Sequence, residues 1–91
     1  MTPVQTLATG AVVQILRRQP LSPGKVGFAW RVAVGPQIGR ITEVRLSDDG
    51  ALTVRAPDPR WRREIERSRA LVLSRLETLL GRDVVKRIDL T

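Results

Sequence analysis

The chain has 91 residues, enough for one domain built on a single modest core. Hydrophobic residues make up 42% of it, which excludes a disordered chain, while 16 Lys and Arg against 9 Asp and Glu leave a net charge of +7 and point to polyanions or acidic protein surfaces as partners. With no Cys and no His there is no disulfide framework, zinc ribbon, thiol chemistry or imidazole base, so no catalytic residue, metal site or cofactor is expected.

Val4, Leu7, Ala8, Ala11, Val12, Ile15 and Leu16 recur at helical spacing and predict an amphipathic helix over about 4–18. Thr2 before Pro3 is its expected N-cap, and Arg17 and Arg18 close it where cations suit the dipole. Pro20, Pro23 and Gly24 mark a loop. Val26, Trp30, Val34 and Ile38 then step by four residues, which predicts a second helix over 25–40. Gly35-Pro36 should kink or break it, because proline removes a hydrogen bond and clashes with the preceding turn.

Ile41–Ser47 and Ala51–Ala56 read as a hairpin around the turn Asp48-Asp49-Gly50. The faces decide its register. A three-residue loop sets Leu46 against Leu52 and Val44 against Val54, so the apolar residues share one face. Glu43 then opposes Arg55, and Arg45 opposes Thr53, on the other face. Asp58-Pro59 opens the longest helix, expected over 59–80, with Trp61, Ile65, Ser68, Val72, Leu76 and Leu79 on one stripe. Gly81 ends it, and Val84–Leu90 is a last strand. The order α-α-β-β-α-β predicts a small α+β domain over 1–91, a three-stranded sheet with helices packed on one face. Trp30 and Trp61, each on a buried stripe, are its expected structural core.

The richest chemical feature is Arg60, Arg62, Arg63, Arg67 and Arg69, five arginines within ten residues. Three crowd the first turn of a helix, where the dipole disfavours cations. One reading is an anion site, guanidinium forks beside free backbone N–H groups, suited to phosphate. The other is a solvated face eased by Glu64 and Glu66. Arg45 and Arg55 on the outer hairpin face, with Lys86 and Arg87 on the last strand, form a second candidate surface for a nucleic-acid backbone or partner. Their alternative role is to block edge aggregation. Asp48 and Asp49 are turn formers, and no His or suitably placed Lys activates a serine. Neither a P-loop nor a GxGxxG fingerprint is present, so an enzyme is not expected. No apolar run is long enough for a signal peptide or a membrane span, and a soluble, cytoplasmic protein is expected.

Four elements in order resemble the DciA family of bacterial replicative-helicase loaders. They are "WRVAVG" at Trp30–Gly35 followed by "IGRIT", "LSDDGALTV" at Leu46–Val54, Trp61 with Ile65 four residues on, and "LETLLGRDVVKRIDL" at Leu76–Leu90. The resemblance spans about residues 4–90. It implies a KH-like domain that binds DNA, single- or double-stranded, and the replicative helicase, and that places the helicase on DNA without an ATPase of its own. The chain departs from true KH domains in lacking their GxxG loop, and the 91 residues hold no flexible extension of the kind many loaders carry. Two other readings stand beside this one: a protein-interaction module, self-associating weakly through the long helix, and an RNA-binding KH-like protein.

Overall fold

The computed structural model describes residues 10–91. Five helices and three strands follow one another as α1 (Gly10–Arg18), α2 (Pro23–Val34), α3 (Pro36–Ile41), β1 (Glu43–Leu46), β2 (Ala51–Arg55), α4 (Pro59–Arg67), α5 (Arg69–Leu80) and β3 (Arg87–Leu90). The strands form one sheet in the order β1-β2-β3. β1 and β2 are antiparallel with Val44 opposite Val54 and Leu46 opposite Leu52, the register expected from the apolar faces. β2 and β3 are parallel with Leu52 opposite Ile88, so the chain between them must cross over, and α4 and α5 occupy that crossover.

One sheet face is apolar and meets the helices. Leu52, Val54 and Ile88 are buried there beside Trp30 and Ala33 of α2, Ile65 of α4, and Val72, Leu76 and Leu79 of α5. The other face carries Glu43, Arg45, Thr53, Arg55, Arg87 and Asp89. The fold is therefore the expected α+β arrangement with helices on one side of a three-stranded sheet.

Local differences have identifiable causes. Thr2, Pro3, Val4, Leu7 and Ala8, and the Val12 side chain, lie outside the described residues. In α1 the buried positions are Leu16 and, in part, Val13, while Ile15 is exposed. Arg17 accounts for this rotation, since its guanidinium donates to the carbonyls of Thr78 and Glu77 at the end of α5. α2 starts two residues before the expected residue 25, because Ser22 caps it, its Oγ accepting from the Lys25 N–H at 3.1 Å. Gly35, at φ 91°, separates α2 from α3 at the expected break. β3 covers only Arg87–Leu90, since residues 82–84 form a turn with Asp83 at φ 66°.

The long helix is broken. Ser68 leaves helical geometry at φ −102°, ψ 14°, and its hydroxyl donates to the Glu64 carbonyl at 2.9 Å, competing with the backbone ladder. The stripe through Ile65 therefore does not run straight on to Val72. Ile65 is the one buried residue of α4. The expectation that Trp61 belongs to the core is corrected: it is only partly buried and stands outside the core cluster. The turn that holds it precedes Ile65, beyond the last residue of α4 that the core can reach. Trp30, by contrast, is 1% exposed.

Candidate nucleic-acid interface

α4 begins at a capped end. Asp58 Oδ1 accepts from the Arg60 N–H at 2.9 Å, and the Asp58 carbonyl accepts from the N–H groups of Trp61 and Arg62. Pro59 has no N–H. The backbone N–H groups of this first turn are thus already taken, which leaves the guanidinium groups as the donors it displays. The Arg60 guanidinium folds back as well, with Nη2 3.0 Å from Asp58 Oδ2. Hydrogen bonds from the Arg60 side chain and then its backbone hold the Asp58 carboxyl below its ordinary value, and the same side-chain bond raises the pKa of Arg60. The crowded cations of the first turn are offset by this carboxylate, which places a negative charge where the dipole favours one.

The remaining arginines differ among themselves. Arg67 lies 3.5 Å from Glu64. Among the described residues Arg62 and Arg63 make no ion pair; Arg62 is partly buried and Arg63 is exposed. Arg69, the first residue of α5, donates to the Ile88 carbonyl of β3 and to Glu66, so it ties the crossover to the sheet. Arg60, Trp61, Arg63, Glu64 and Arg67 line one open hollow of about 420 Å³. Trp61 and the guanidinium-bearing Arg60, Arg63 and Arg67 thus border the same space.

The sheet candidates stand on other elements, and none lines that hollow. Arg55 lies 3.7 Å from Glu43 across the hairpin. Arg87 is held between Asp89 at 3.2 Å and Asp49 at 3.3 Å. Asp89 first and Asp49 second raise the pKa of Arg87, while Asp49 is lowered chiefly by the Ala51 N–H that it accepts. Lys86 is exposed, and its stem packs on Gly50. Arg45 is exposed and makes no ion pair among the described residues. On this face Arg55 and Arg87 are paired with acids, while Arg45 and Lys86 make no ion pair among the described residues.

Three further cations serve helix ends or loops. Arg75 Nη1 donates to the Ala33 carbonyl in the last turn of α2 at 2.8 Å. Arg17 does the same for α5, and Lys25 Nζ donates to the Gln19 carbonyl at 2.7 Å. A signal for Arg75 existed in the sequence: it lies three residues after Val72 and four before Leu79, beside the buried stripe. Subtracting these leaves α4 as the element richest in arginine displayed to solvent.

Fold and surface together define a small, strongly basic α+β protein that presents arginine from one self-capped helix beside an aromatic ring. A family model described as "Dna[CI] antecedent, DciA" matches residues 4–90, and the chain belongs to the DciA family. That is the family of helicase loaders, and membership connects the chain with DNA replication. No curated protein and no solved structure matches it.

Proposed function

We propose that this chain is a replication accessory that binds DNA and the replicative helicase, helps place the helicase on DNA, and works without catalysis or cofactor of its own. The family match over residues 4–90 carries the reading. The display of Arg60, Arg62, Arg63 and Arg67 on α4, and the net charge of +7, support DNA as the polyanion. Such a protein acts where the chromosome is, in the cytoplasm. Among the described residues no helix is long and apolar enough to cross a membrane.

Two measurements test this. Purified protein mixed with the host's replicative helicase should co-elute with it. Its affinity for DNA should fall with salt, with a log–log slope of roughly −0.9 per phosphate contact on duplex and −0.7 on a single strand. Co-elution without DNA affinity at low salt would leave a protein-interaction module. Loss of both would remove the replication role.

A further inference from the structure

We propose that the hollow on α4 takes single-stranded DNA, one base stacked on Trp61 and the adjoining phosphates on Arg60, Arg63 and Arg67. This rests on the DNA reading above and names the strand form and the contact. The first support is the placement of Trp61. The fold buries the other indole, Trp30, almost completely, yet sets this half-buried one outside the core cluster, at the wall of the hollow. An aromatic ring at the wall of an open hollow is a stacking partner for a base of any sequence.

The charges around the ring point the same way. Arg63 has no acid partner among the described residues, Arg60 faces Asp58, and Arg67 faces Glu64. The Glu64 carboxylate, the one acid lining the hollow, is thus held by Arg67 rather than left to repel a phosphate. Three guanidinium groups beside one indole match the alternation of base and phosphate along a single strand. A duplex keeps its bases stacked on one another and would use the arginines alone. An acidic peptide would also use the arginines alone and would leave the ring without a flat partner.

The test compares two oligomers of about 12 nucleotides, one of thymidine and one of abasic residues, which carry the same phosphates. Wild-type protein should bind the thymidine oligomer about tenfold more tightly or better, with salt slopes equal for the two. Trp61→Leu should abolish that preference and Trp61→Phe should keep most of it. Indole fluorescence should be quenched by the oligomer in wild type and not in Trp61→Phe, because Trp30 is out of reach. Equal wild-type affinity for both oligomers, or quenching that survives in Trp61→Phe, would overturn stacking while leaving DNA binding in place. No affinity for either oligomer would overturn stacking and the DNA reading together. A Trp61→Leu protein that keeps the thymidine preference and loses only the helicase would make the hollow a protein contact. Should Trp61→Leu fail to fold, the abasic comparison and the quenching in wild type decide the matter.

Discussion

The indole N–H of Trp30 donates to Thr42 Oγ1 at 2.8 Å, and the same hydroxyl donates to the Ile38 carbonyl at 2.7 Å. Trp30 can therefore be buried without an orphaned donor, and the link joins α2 to the end of α3 just before β1. Thr42→Val keeps the shape of the site but leaves the indole N–H without its acceptor, which should cost about 1–3 kcal/mol. Trp30→Ala should cost about 3–5 kcal/mol through the cavity it leaves, enough to unfold a domain of marginal stability. Adding Trp30→Phe to Thr42→Val should cost less than the sum of the two single changes, because the donor and its acceptor then go together. Denaturant melts of the four proteins check this; strict additivity would contradict the coupling.

Some of this was open to reading before the structure and some was not, for physical reasons. The hairpin register was legible because a one-residue slip would move every apolar side chain to the wrong face, so Leu46 and Leu52 had to meet. Gly35-Pro36 announced its break through backbone chemistry alone. The interruption at Ser68 was hidden, because serine fits a helical stripe and its back-bond to Glu64 leaves no trace in spacing. Trp61 reads as core in the sequence for the same reason: periodicity says which side of a helix a residue occupies, not whether anything packs there. The arginines were the least legible. Arg69 and Arg75 hold backbone carbonyls while Arg63 makes no hydrogen bond or ion pair among the described residues, and a long flexible side chain makes that choice only in three dimensions.

Gly50 sits at φ 87°, and a Cβ there would come within 2.7 Å of Lys86 Cγ. Its carbonyl also accepts from the Lys86 N–H at 2.7 Å, so the turn and the entry to β3 are pressed together. Gly50→Ala should cost about 1–3 kcal/mol, from the left-handed backbone and from the contact. Lys86→Ala in the same protein should recover part of that cost by removing the Cγ and Cδ contacts at 2.7 and 3.0 Å, leaving the Cβ contact at 3.1 Å and the backbone part. A thermal melt of the single and double variants checks this; no recovery would mean that the Lys86 stem beyond Cβ adds nothing to the cost.

Stability should fall in acid. Asp58 and Asp49 both have lowered pKa values in the folded protein. The unfolded chain therefore binds protons before the folded one as pH drops, and the stability these carboxylates contribute, full above the unfolded value of about 4, is lost as pH falls through the folded value. Asp58→Asn can still cap the helix but loses the negative charge that the helix N-terminus favours, so it should melt lower than wild type at pH 7 and the gap should close in acid. Melting temperatures from pH 7 downward read this directly; a gap that widened in acid would reverse the sign argued here.

The arginines should separate into two groups when replaced one at a time. Arg75→Ala takes the donor from the Ala33 carbonyl, and Arg69→Ala cuts the tie to Ile88, so both should lower the melting temperature. Arg63→Ala breaks no contact among the described residues and should leave it unchanged. Arg60→Ala and Arg67→Ala each remove only an exposed ion pair and place a better helix former on α4, so they too should be nearly neutral. DNA affinity should divide the same residues the other way. Replacing Arg60, Arg63 and Arg67 together should make the salt slope shallower by up to about three contacts while the fold survives. The pairs already made to Asp58 and Glu64 must loosen before Arg60 and Arg67 reach a phosphate, so Arg63→Ala should account for the largest single loss. An equal loss from all three would mean that those pairs offer no competition. A triple variant with normal melting, normal DNA affinity and normal helicase binding would return α4 to a solvated face and leave Arg45 and Lys86, the sheet-side cations without an acid partner among the described residues, as the next to test.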